Sequence, residues 1–94
     1  MKGDEHALSP CYGRDSVYVG CYNADNHGWD ELLSDFEEQV GKRYEGRPHW
    51  GKEFKVGADY LKNAYPKWDD FQQLRAKLDP NGQFRNSMLE GLFN

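Results

Sequence analysis

Ninety-four residues, 37% hydrophobic and 15% aromatic, suffice for one small domain and no more. A net charge of −4 argues against a nucleic-acid binder, and no stretch approaches the roughly 20 apolar residues of a membrane span. Mean hydropathy of −1.02 demands a polar surface, while the aromatic share separates this chain from a disordered tail.

Met1 to Gly13 reads as an irregular lead-in with a turn at Ser9-Pro10, and its start is too polar for a signal peptide. Ser16 to Tyr22 alternates. Val17, Val19 and Cys21 share one face; Ser16, Tyr18, Gly20 and Tyr22 share the other, a period of two that predicts a strand. Asn23 to Gly28 is a polar loop, with Asn26 positioned to cap the next helix. That helix is predicted from Gly28 to Val40. Trp29, Leu32, Leu33, Phe36 and Val40 form its apolar face, Asp30, Glu31, Ser34, Asp35, Glu37 and Glu38 its solvated face, and Gly41 ends it.

A short helix follows from Ala58 to Ala64, stopping near Tyr65 because Pro66 comes next. A third helix spans Lys67 to Leu78, with Trp68, Phe71, Leu74 and Leu78 as its stripe. Asp79-Pro80-Asn81-Gly82 is a turn, and Asn86 to Phe93 forms a last helical turn or two. The predicted class is α+β, one or two strands with three to four helices, in a single unit over residues 1–94. A lone strand leaves its backbone donors and acceptors unpaired. Either a second strand lies within Gly46 to Lys55, or residues outside the chain complete the sheet, so the chain reads as a fragment. Cys11 and Cys21 make no disulfide framework and read as reduced thiols in a cytosolic setting.

Arg47-Pro48-His49-Trp50-Gly51-Lys52 concentrates the groups able to do chemistry. Lys52 is either an ordinary surface lysine or a semi-buried cation whose charge needs a partner. A flavin pyrimidine ring suits it, because negative charge collects near N1 and C2=O on reduction. His49 is either satisfied by local backbone or free to donate to a carbonyl oxygen and exchange protons near neutral pH. Trp50 reads as core packing rather than a stacking platform, and Arg47 as half of a structural salt bridge rather than an anion binder. His6, His27, His49 and the cysteines match no zinc or haem spacing, so no metal site is expected.

Three stretches in order, Leu8 to Ser16 (LSPCYGRDS), Gly46 to Lys52 (GRPHWGK) and Leu78 to Asn86 (LDPNGQFRN), with Tyr65 to Phe71 (YPKWDDF) between the last two, carry a family resemblance. The chain resembles the C-terminal domain of the FAD-dependent sugar-1,4-lactone oxidases, among the vanillyl-alcohol-oxidase-like flavoproteins. The resemblance implies a C-terminal cap-domain segment, with the FAD domain and the first part of the cap domain absent. It implies hydride transfer from a D-arabinono-, L-gulono- or L-galactono-1,4-lactone to FAD, with oxygen or another acceptor reoxidising the flavin. Lys52 and His49 then fall at catalytic and cofactor-binding positions, and Asn86 at a cofactor-binding one. FAD would be bound mainly by missing sequence, supplied by an FAD-binding domain in cis or in trans, in a protein that is cytoplasmic or membrane-associated. The isolated chain would be inactive.

Tyr22 stands where alditol oxidases carry a threonine at the substrate, which turns the expectation from polyol toward lactone. The Glu-x-Arg pair that holds substrate in this family would lie upstream of Met1. The alternatives are a non-catalytic subunit that completes a flavoprotein partner in trans, an alditol oxidase segment, or a nonfunctional remnant. On the leading reading, the apolar faces of the first and third helices cannot both be buried within the chain.

Overall fold

Amphipathic spacing and proline punctuation divide the chain as its helices do. The computed structural model describes residues 1–25 and 27–93. Helix α1 spans Trp29–Phe36 and runs on without a break as a π-helical stretch, Glu37–Lys42. Helix α2 spans Ala58–Ala64, α3 spans Trp68–Leu78 and α4 spans Ser87–Leu92. No helix among them is long and apolar enough to cross a membrane. The expected cap at Asn26 lies outside the described residues; Gly28, in the left-handed region at φ 68°, precedes α1.

The α+β expectation holds only in its helical part. Ser16 to Tyr22 forms no ladder, and an isolated parallel bridge between Asp4 and Tyr12 is the sole β pairing among the described residues. A strand is stabilised by a neighbour's backbone. The segment offered as that neighbour, Gly46 to Lys55, is turned and fastened to the core instead. Nor does Gly41 end the first helix. It sits inside the π-helical stretch, and the chain turns only afterwards, where the Gly46 amide donates to the Gly41 carbonyl at 2.6 Å. The two backbones approach so closely that a Cβ on Gly46 would stand 3.0 Å from that oxygen.

The core lies between α2, α3 and α4. Leu61 and Tyr65 are one turn apart at the end of α2. Pro66 breaks the helix there, and the Trp68 amide donates to the Tyr65 carbonyl at 3.1 Å as α3 begins. Leu61, Tyr65, Trp68, Leu92 and Phe93 are buried together, with Leu8, Trp50, Phe54 and Phe71 packed around them. The cluster is mostly rings. Phe93 stacks on Trp68 with centroids 4.6 Å apart, and Trp50 lies 5.6 Å from Tyr65 and 6.1 Å from Phe93. Only the first half of α3 is covered: Trp68 is buried, whereas Leu74 and Leu78 are 53% and 72% exposed. With Phe84, 83% exposed, they line a groove of about 310 Å³ floored by Phe71, Leu89 and Phe93.

A helix as short as α4, six residues, does not stand on propensity. It is held by the burial of Leu92 and Phe93 and by Asn86, whose side chain accepts from the Leu89 amide at 2.9 Å. Asn86→Ala is expected to cost about 1 kcal/mol and Asn86→Asp much less. Chemical denaturation of the chain measures both, and equal losses would mean that the cap bond contributes nothing.

Tyr65 raises a different expectation. Its hydroxyl is buried with no hydrogen-bond partner among the described residues, and burial pushes the phenol up to about 12. The folded state therefore holds its proton more tightly than the unfolded chain. Stability is full below the ordinary phenol value of 10 and falls as pH rises from there through about 12. Tyr65→Phe is expected to raise stability by about 1 kcal/mol and to flatten that alkaline decline. Denaturation midpoints at neutral pH and across the alkaline range check both parts.

Candidate functional site

Four side chains of the Arg47–Lys52 run divide into two that fasten it and two that face outward. Arg47 is half-buried against the lead-in and α2. Its Nε donates to the Ala64 carbonyl at 2.7 Å, its Nη1 to the carbonyls of Tyr12 at 2.7 Å and Pro10 at 3.3 Å, and its guanidinium lies 5.1 Å from the Tyr65 ring centre. The expected salt bridge is thus replaced by carbonyls, since no carboxylate pairs with Arg47 among the described residues. Burial, then the nearby Arg14, push the guanidinium below its ordinary value, which three carbonyl acceptors and an aromatic face offset. Trp50 is core, as its sequence context suggested. Its ring packs on Phe54, Tyr65 and Phe93, and Nε1 donates to the Leu8 carbonyl at 2.8 Å.

Between and beyond these anchors, His49 and Lys52 are exposed. The Lys52 amide donates to the His49 carbonyl at 3.0 Å, closing a turn. The Gly51 amide donates to His49 Nδ1 at 3.0 Å. In the neutral imidazole the proton therefore sits on Nε2, which makes the outward edge of the ring a donor. A Cβ on Gly51 would stand 3.2 Å from that ring, so a side chain there would crowd the imidazole. Lys52 Nζ has no carboxylate within ion-pair distance among the described residues. Tyr18 meets His49 edge-on, with centroids 6.4 Å apart.

Asn86 Oδ1 caps α4, and among the described residues no hydrogen bond joins Asn86 to His49 or Lys52. It is coupled to the loop through packing, since α4 delivers Phe93 to the back of Trp50. Sequence reasoning missed Tyr65 and Tyr60 as supports. Tyr65 takes the Arg47 cation on its ring, and Tyr60 Oη donates to the Gly46 carbonyl at 2.7 Å, at the mouth of the loop. The four-residue step from Leu61 to Tyr65 marks Tyr65 as core; Tyr60 carried no comparable signal.

The structure is an aromatic-cored helical module that presents the His49–Lys52 turn outward. The sequence profile described as D-arabinono-1,4-lactone oxidase matches residues 1–92. L-gulonolactone oxidase of Mus musculus is 38% identical over 98% of this chain and 22% of its own length. L-gulono-1,4-lactone dehydrogenase of Mycobacterium tuberculosis is 37% identical over 88% of this chain, and alditol oxidase of a Streptomyces species is 36% identical over 97%. The chain belongs to the D-arabinono-1,4-lactone oxidase family. It spans 19% to 22% of the length of these relatives.

Proposed function

We propose that the chain is the C-terminal segment of an FAD-dependent oxidoreductase that oxidises a sugar-1,4-lactone, and that the His49–Lys52 turn is its contribution to the flavin site. One observation carries the reading: two donors, one cationic and lacking an ion-pair partner among the described residues, stand on a turn pinned to the core by Arg47 and Trp50. Holding such a turn in place is what preorganised stabilisation of developing charge needs. The donor set fits a flavin pyrimidine edge, which offers acceptors at N1 and C2=O.

FAD, held mainly by an FAD-binding region in cis or in trans, supplies the hydride acceptor. Lys52 provides positive charge where negative charge grows on reduction, and His49 donates from Nε2 to an acceptor beside it. Trp50 fastens the inner side of the turn to the core. Asn86 serves the site as a positioning residue, through α4 and Phe93. Tyr22, in place of threonine, favours a lactone over a polyol; oxygen or another acceptor completes turnover.

The test is anaerobic titration of the assembled flavoprotein that contains this chain with L-gulono-1,4-lactone, D-arabinono-1,4-lactone and a linear polyol. Either lactone is expected to bleach the flavin's visible band and the polyol to leave it. Bleaching by the polyol alone would overturn the substrate assignment.

A further inference from the structure

An exposed imidazole turns freely about its side-chain bonds unless something holds it, and His49 is exposed. One restraint is local: the Gly51 amide donates to Nδ1 at 3.0 Å. A bond between near neighbours at the surface competes with water for both partners, so alone it holds the ring weakly. A second restraint comes from a distant part of the chain. The Tyr18 ring stands nearly perpendicular to the imidazole, at 81°, with centroids 6.4 Å apart, within the range of favourable aromatic pairs. Tyr18 lies outside the hydrophobic core and stays 56% exposed, so this contact is no by-product of core packing. The tyrosine is itself braced. Met1 and Ser16 exchange backbone hydrogen bonds of 2.7 and 2.9 Å just ahead of it. Tyr18 and Tyr22 both lean over Gly20, where a Cβ would stand 3.3 Å from the first ring and 3.1 Å from the second.

We propose that Tyr18 is a positioning residue for His49: its ring holds the imidazole in the orientation in which Nδ1 accepts from Gly51 and Nε2 donates outward. The consequence for turnover rests on the assembled-flavoprotein reading above, in which that donor meets the flavin. Ring orientation decides whether a donor is there at all. A half-turn of the imidazole puts Cδ2 where Nδ1 stands and Cε1 where Nε2 stands. The Gly51 bond is then lost, and a carbon replaces the outward N–H. A donor aimed at developing charge works only if it is in place before the charge appears, so misaiming it costs rate more than binding. Tyr18 acts through its ring and through His49, and is assigned no contact of its own with lactone or flavin.

The test is a double-mutant cycle on Tyr18 and His49 in the assembled flavoprotein, read as the anaerobic rate of flavin reduction by L-gulono-1,4-lactone. Tyr18→Leu is expected to slow reduction about tenfold, less than loss of the donor itself, with the half-saturating lactone concentration unchanged. Tyr18→Phe keeps the ring and is expected to stay within about twofold of the parent. In the His49→Ala background, Tyr18→Leu is expected to change nothing further, because residues that act through one another are not additive. Losses that multiply, a raised half-saturation, or a Tyr18→Leu rate equal to the parent's overturn the proposal. A second measurement needs neither assembly nor turnover: the ring-nitrogen NMR shifts of neutral His49 in the 94-residue chain. The Nε2–H tautomer is expected to predominate in the parent and in Tyr18→Phe, and to give way to a mixture in Tyr18→Leu. Identical spectra in all three overturn the proposal, whether or not the variant assembles. If the spectra differ as expected while His49→Ala reduces its flavin as fast as the parent, the positioning contact stands and the flavin role of His49 falls.

Discussion

Phe93→Ala is expected to destabilise the chain by about 3–5 kcal/mol, the range for removing a buried aromatic ring. Phe93 is 3% exposed and contacts Trp68, Phe71 and Trp50 at centroid distances of 4.6, 5.2 and 6.1 Å. It is also a principal anchor of the short helix α4. The surrounding rings are stiff and are held by two separate segments, α3 and the Arg47–Lys52 run, so they collapse poorly onto the space left behind. A small domain has roughly 5–15 kcal/mol in total, and the variant therefore sits near its folding threshold. Loss of Phe93 also removes the backing of Trp50, which loosens the turn that carries His49 and Lys52. Chemical denaturation with near-ultraviolet circular dichroism measures both effects. A loss below about 1 kcal/mol, the size of an ordinary surface change, would mean that the ring cluster is not the chain's main source of stability.

Lys52→Met in the assembled flavoprotein is expected to slow flavin reduction by lactone roughly 100-fold, the effect of removing one preorganised charge-stabilising donor. Lys52→Arg should recover part of the rate by restoring the cation with a different shape. Stability gives the control. Lys52 is exposed and has no ion-pair partner among the described residues, so the fold should change by no more than about 0.5 kcal/mol. A rate that falls with intact stability and intact flavin binding assigns the effect to charge at the flavin. An unchanged reduction rate removes Lys52 from the site.

The helices were legible because strong local signals bound them. Pro66 separates α2 from α3, Asp79-Pro80-Asn81-Gly82 separates α3 from α4, and Gly82 takes the positive φ of 66° that such a turn favours. The end of the first helix was less legible. Gly41 looks like a stop, but its carbonyl is needed by Gly46 across a close backbone approach, and the helix winds past it in a wider turn. Arg47 misled for a related reason. Acids close in sequence suggested a salt bridge, while its partners are carbonyls of Pro10, Tyr12 and Ala64, brought in by tertiary folding. The strand from Ser16 to Tyr22 was visible as a pattern and is absent as a ladder, because pattern belongs to the segment and pairing belongs to a neighbour. The division of the Arg47–Lys52 run into core and outward positions was half legible: Trp50 reads as core from its type, but nothing local says which way His49 and Lys52 turn.

The most direct measurement is the visible spectrum of the assembly purified through this chain from its source, before and after anaerobic addition of a sugar-1,4-lactone. The account predicts flavin bands, carried with a larger polypeptide or a partner, that bleach on addition of the lactone. A colourless chain eluting alone, or a flavin that no lactone reduces, would contradict it.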